Sequence, residues 1–168
     1  LEDEHILWAD IVCTGGMLPQ QKNILALVDR VHSLGRPVVA GGPDPTSQPK
    51  VYKKADYLVL GEGEVTIPLF LDGLARGEKR GVYVSEVKAD MSKAVIPRYD
   101  LIRPGDYIMM GMQFVRGCPF NCEFCDIIIM NGRVPRTKTA SQLLREFHAI
   151  YRTGFRGAVF IVDDNFIG

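Results

Sequence analysis

Three cysteines fall within eight residues of one stretch, Arg116-Gly117-Cys118-Pro119-Phe120-Asn121-Cys122-Glu123-Phe124-Cys125-Asp126. Three residues separate the first pair and two the second, so one short loop can wrap round a metal centre and aim three sulfurs at it. A structural zinc site, or a cluster held wholly by protein, calls for a fourth ligand, usually Cys or His. Neither remaining candidate fits. Cys13 lies in a distant apolar segment, and His148 falls in a segment that reads as helix. Three thiolates on a four-iron cluster leave one iron open to a small molecule, which points to chemistry more than to scaffolding. The competing accounts are a zinc knuckle or a chance grouping of core cysteines.

The elements that must position this loop follow from periodicity. Apolar runs at 9–14, 37–40 and 57–60 read as buried parallel strands, each broken by glycines. Between the first two, Ile24, Leu27, Val28, Val31 and Leu34 form a helical stripe that Gly35 stops. Residues 66–76 read as a second helix, with Pro68 tolerated in its first turn. This rhythm predicts a Rossmann-like doubly wound α/β sheet over 1–82, with Tyr83-Val84 a further short strand. Ligands of such sheets sit at the carboxyl ends of the strands. One rim then carries Thr14-Gly15-Gly16, Gly41-Gly42 and Gly61-Glu62-Gly63, glycines that let a backbone approach a large flat ligand. Tight turning of the chain accounts equally for any one of them.

Residues 83–110 read as an extended linker in which Tyr99 and Leu101 bury. Residues 112–115 read as a strand feeding the cysteine loop, and 127–130 as an apolar segment that lines a shelter over it or simply packs in the core. The basic run Arg133-Val134-Pro135-Arg136-Thr137-Lys138-Thr139 would hold an anion or lie solvated. A capping box at Thr139-Ala140-Ser141-Gln142 opens a helix with stripe Leu143, Phe147, Ile150 and Tyr151, and a strand at 158–162 follows it. Residues 1–5 read as the tail of a helix and the last strand has nothing packed after it, so a piece of a longer protein is expected.

Composition narrows the classes. Twenty basic and twenty acidic residues balance, leaving no net pull on nucleic acid or an anionic membrane. No apolar run reaches the roughly 20 residues of a bilayer span. No secretory signal is visible, and four cysteines with three in one loop do not form a disulfide framework, so a cytoplasmic location is expected.

Cys-x-x-x-Cys-x-x-Cys with Phe124 before the last cysteine resembles the cluster loop of radical S-adenosylmethionine (SAM) enzymes. That resemblance implies a [4Fe–4S] cluster on Cys118, Cys122 and Cys125, whose open iron binds the amino and carboxylate groups of SAM. An electron, delivered by a donor such as flavodoxin or ferredoxin, would cleave SAM to methionine and a 5′-deoxyadenosyl radical. Phe124 and the carboxylates Asp163 and Asp164, at the end of the second barrel strand, would contact SAM. One of the two carboxylates should reach the pocket, because neighbours on a strand point to opposite faces. The upstream domain resembles a cobalamin-binding module, which implies cobalamin contacts at Thr14, Gly15, Gly41, Gly42, Gly61, Glu62 and Gly63. The family's Asp-x-His-x-x-Gly segment is not in the chain. The whole, including Asp163-Asp164-Asn165-Phe166, resembles the B12-binding radical SAM branch that contains the hopanoid methylases. It implies the first β/α units of a partial TIM-type barrel over 111–168 and methylation or a related radical reaction on a small or apolar substrate. A non-catalytic metal module, or a cobalamin-binding domain without turnover, remains the alternative.

Overall fold

Strands β1 (Val12–Gly15), β2 (Val38–Gly41), β3 (Tyr57–Val59) and β4 (Gly81–Tyr83) form one parallel sheet in the order β1-β2-β3-β4. The computed structural model describes residues 1–166 and divides them into two units, Leu1–Lys88 and a second from Ala89 onward. The central strands are buried on both faces, and their residues alternate between two cores. Val38, Ala40, Leu58 and Leu60 meet Ile24, Val28 and Val31 of helix α2 (Gln21–Ser33), with Ile6 of α1 (Asp3–Trp8) and Tyr52. Val39, Tyr57 and Val59 meet Phe70 of α4 (Gly63–Ala75) and Tyr83 on the other face. Helices on both faces of a parallel sheet are the doubly wound architecture expected from the sequence.

Three expectations for this unit change. Strand β1 lies at the sheet edge and leaves Cys13 exposed, so it is not a buried strand. Helix α1 begins inside the chain, where Glu2 and His5 form a capping box, so residues 1–5 are a helix start and not a tail. Helix α4 starts at Gly63, three residues early, which places Pro68 inside it rather than in its first turn. The start is fixed locally: Glu62 is the N-cap, and its carbonyl accepts the Val65 and Thr66 amides and, at 3.1 Å, the Thr66 hydroxyl.

In the second unit β5 (Met109–Met112) pairs in parallel with β8 (Ala158–Ile161), and β6 (Val115–Arg116) pairs antiparallel with β7 (Arg136–Thr137). The strand expected over 112–115 is therefore two strands broken at 113–114. Helix α6 (Ala140–Arg152) opens with the anticipated capping box, Thr139 bonding the Gln142 amide at 3.2 Å. Its buried stripe is Gln142, Glu146 and Ile150, while Phe147 and Tyr151 are exposed. Polar residues take that face because each has a buried partner. Gln142 Nε2 donates to the carbonyls of Met91, Ser92 and Ala94 at 2.9–3.3 Å, and Glu146 pairs with Lys138 at 2.5 Å. The expected linker is thus divided, residues from Ala89 belonging to the second unit. Within it Tyr99 packs against Met110 and Ile150, but Leu101 stays exposed.

Candidate functional site

The three cysteines lie in one segment, 117–135, slung between β6 and β7. The antiparallel stem pairs Val115 with Thr137 and Arg116 with Arg136, and Lys138 extends it by donating its amide to the Phe114 carbonyl at 3.0 Å. Gly117 then turns the chain at φ +96°, where a Cβ would stand 2.7 Å from the Val134 carbonyl oxygen. Only glycine fits both conditions. Across the base of the loop, Cys118 N–H donates to Gly132 O at 3.2 Å. Cys125 N–H closes a turn onto Cys122 O at 3.1 Å, and the short helix α5 (Ile127–Met130) follows.

The basic run is largely exposed, as a solvated loop would be, yet each of its three basic side chains is bonded within the protein. Arg133 donates to Pro119 O at 3.0 Å and to Asn121 Oδ1 at 3.2 Å, gripping the cysteine loop itself. Arg136 donates to Asn131 O at 2.8 Å and Ala89 O at 2.6 Å. Lys138 is buried in its pair with Glu146.

All four cysteines are free. Cys122 is exposed, Cys118 and Cys125 are half-buried, and Phe124 beside the last is 92% exposed. Among the described residues no three His, Cys, Asp or Glu side chains are gathered as ligands round one point. The donor set nonetheless fits a thiolate-held cluster: three soft sulfurs in one loop, committed to no disulfide, on a base that is pinned.

Beyond β8 the chain leaves the strand at Val162, so the two following carboxylates are not obliged to alternate. Both reach the stem of the loop. Asp163 Oδ1 accepts the amides of Phe114 at 2.6 Å and Val115 at 2.9 Å. Its Oδ2 is buried and has no partner among the described residues. Asp164 Oδ2 accepts the Gly117 amide at 2.7 Å and Asn131 Nδ2 at 2.8 Å.

The first unit assembles the glycine rim. Gly15 lies opposite Gly41, and Gly41 opposite Val59, in the strand register. A Cβ on Gly15 would stand 2.6 Å from the Gly41 oxygen, and one on Gly41 2.8 Å from the Val59 oxygen, so a side chain at either would push strands apart. The loops after the three strands are bonded to one another. Asp44 N–H donates to Gly16 O at 3.1 Å, and Thr46 Oγ1 donates to Gly42 O at 2.7 Å while accepting the Gly61 amide at 2.9 Å. Thr14 pairs with Ala40 just beneath. Glu62 is buried at the head of α4 and Gly63 is that helix's first residue. Below the rim Asp44, buried in α3 (Pro43–Ser47), accepts from Gln21 Nε2 and from the Tyr52 hydroxyl. Burial, then the Asp44 hydrogen bond and charge, push the Tyr52 hydroxyl well above its ordinary pKa. Sequence reading places Asp44 on the rim without giving its carboxylate a role, and it passes over Tyr52 and Asn131. The only hint was a carboxylate two residues after Gly41-Gly42, beside the loop that needed holding.

The first unit is thus a parallel α/β sheet with a glycine rim, and the second carries a three-cysteine loop beside a pair of parallel strands. No family model matches the chain. Its fold matches a cobalamin-dependent S-adenosylmethionine radical enzyme, OxsB, solved with aqua-cobalamin and S-adenosylmethionine, at TM-score 0.78 and 19% identity over 99% of this chain and 27% of that one. By sequence it is 47% identical over 163 residues to an uncharacterized methyltransferase of Synechocystis sp., 96% of this chain and 30% of that protein. It is 38% identical over 169 residues to the hopanoid C-2 methylase of Rhodopseudomonas palustris, 98% of this chain and 32% of that protein. The chain is thus a relative of the B12-binding radical SAM branch that includes the hopanoid methylases. It spans about a third of the length of these relatives.

Proposed function

We propose that this chain is the cofactor-holding part of a radical SAM methyltransferase. Cys118, Cys122 and Cys125 would ligate a [4Fe–4S] cluster, and the rim from Thr14 to Gly63 would seat cobalamin. The observation that carries the reading is the loop itself: three free thiols between two pinned ends, with a buried carboxylate oxygen on Asp163, at the stem, that has no partner among the described residues. When bound, the cluster supplies the electron that cleaves SAM, and cobalamin supplies a carrier for the methyl group.

This chain's own residues bind and orient. Arg133 and Asn131 hold the two halves of the cysteine loop, so the sulfurs are presented from a fixed frame. Asp163 keeps Oδ1 on the stem amides and offers Oδ2 to the ammonium group of SAM, a charge-assisted bond. Phe124, exposed beside Cys125, would cover one side of SAM and exclude water. At the rim, Gly61, with open space where a side chain would stand, and Gly42 would let a corrin or its nucleotide tail approach the backbone, while Gly15 and Gly41 keep the strands beneath in close register. The whole protein would take a small or apolar substrate and an electron donor of the flavodoxin or ferredoxin kind. No helix among the described residues is long and apolar enough to cross a membrane.

The test uses the full-length protein, reconstituted anaerobically with iron and sulfide and loaded with cobalamin. The reading expects SAM to perturb the reduced cluster's electron paramagnetic resonance spectrum, and Gly15→Ala to lower cobalamin retention without changing that response. An unperturbed spectrum at saturating SAM overturns it.

A further inference from the structure

We infer that Asp164 is a positioning residue of the cysteine loop, acting on Cys118 through the Gly117 amide and not through contact with SAM. The inference rests on the cluster-loop reading above and concerns the same site. One carboxylate oxygen, Oδ2, takes both the Gly117 N–H at 2.7 Å and Asn131 Nδ2 at 2.8 Å. These two residues flank the part of the loop that carries the cysteines: Gly117 precedes Cys118, and Asn131 is the C-cap of α5, which follows Cys125. The carboxylate therefore closes the loop into a ring, with Cys118 N–H to Gly132 O as the rung beside it.

Three features make this a support and not a chance contact. Hydrogen bonds to an ionised oxygen are short and stronger than neutral ones. Gly117 is buried and at positive φ, with the Val134 oxygen filling the space a side chain would need, so the amide that meets the carboxylate sits in a tightly packed turn that only glycine can make. Arg136 also donates to the Asn131 carbonyl at 2.8 Å, so the far end is fixed from both sides. The division of labour between adjacent residues follows. Asp163 supports the stem amides and keeps a buried oxygen that has no partner among the described residues, while Asp164 supports the loop.

The test separates this role from SAM contact by using Asp164→Asn. An amide oxygen can replace Oδ2 as the acceptor of both bonds, yet it carries no charge for an ammonium group. In full-length protein without cluster, amide exchange at Gly117 is the first readout. Asp164→Ala should raise it by about tenfold or more, the worth of a bond to a charged group. Asp164→Asn should stay close to wild type, and Val28 and Val31 should be unchanged in both. After reconstitution, the Asp164→Ala cluster should show an altered resonance spectrum before SAM is added, and Asp164→Asn should restore both spectrum and SAM affinity. Unchanged Gly117 exchange in Asp164→Ala overturns the inference. So does weakened SAM binding in Asp164→Asn with Gly117 still protected. Should Asp164→Ala fail to fold, Asp164→Asn decides alone, wild-type SAM affinity supporting the inference and weakened affinity refuting it. A wild-type protein that takes up no cluster refutes the proposed function but leaves the exchange comparison to judge Asp164.

Discussion

Removing one partner of the Lys138–Glu146 pair should be among the most damaging single changes in the second unit. Lys138 is 7% exposed and Glu146 1%, and their Nζ and Oε1 atoms stand 2.5 Å apart. Truncating either leaves a charge buried without its counter-ion, a loss of about 3–5 kcal/mol. The pair is not an efficient stabiliser, because Glu146 Oε2 is buried with no partner among the described residues. Replacing both with apolar residues of similar volume should therefore recover the loss, to within about 1 kcal/mol of wild type. Amide exchange at Ile150, one turn further along α6, reads the opening of that helix directly. Glu146→Ala should raise its opening constant by at least about a hundredfold, and Lys138→Met with Glu146→Leu should bring it back within about tenfold. A single-variant loss below about 1 kcal/mol, or a double variant as poor as the worse single one, would refute the assignment of α6's polar stripe to this pair.

Gly15→Ala should destabilise the first unit by about 1–3 kcal/mol, since its Cβ would meet a backbone oxygen that cannot move cheaply. Gly35→Ala has open space around it but φ +71°, so it should cost about 1 kcal/mol of backbone strain alone. Urea denaturation of the two variants checks the order. Burial of Asp56 raises its pKa, but the His32 bond at 2.7 Å, the Val38 amide at 2.9 Å and nearby positive charge outweigh that and hold it below the usual carboxylate value. Its contribution should be complete above about pH 4 and fade as pH falls through the depressed folded value; Asp56→Asn should remove that acid limb from the stability profile. The Glu78 hydrogen bond, then burial, push the Tyr83 hydroxyl up to about 12. Stability from neutral Tyr83 should be intact below about pH 10 and lost toward pH 12, and Tyr83→Phe should flatten that alkaline limb.

What the sequence made legible was periodic or tightly spaced. Unbroken apolar runs at 37–40 and 57–60 placed the central strands, the Ile24–Val28–Val31 stripe placed α2, and Thr139 with Gln142 placed the start of α6. The cysteine loop was legible because its spacing is local. The failures at α6 and at the end of β8 share one cause, long-range pairing of polar groups. Glu146 and Gln142 took the face of α6 that Phe147 and Tyr151 were expected to take, because their partners lie at Lys138 and at 91–94. Asp163 and Asp164 bond amides more than 45 residues back along the chain, a relation no local pattern encodes. Leu101 was misjudged because burial in an irregular segment depends on tertiary contact and not on residue type.

The central claim is that one loop holds the reactive metal centre. Iron and acid-labile sulfide, measured per chain after anaerobic reconstitution of full-length protein, test it most directly. The account predicts about four of each in the wild type and in Cys13→Ala, the number set by one [4Fe–4S] cluster. It predicts loss of both in the Cys118, Cys122 and Cys125 triple Ala variant. A full cluster in the triple variant, or its loss on Cys13→Ala alone, would contradict it.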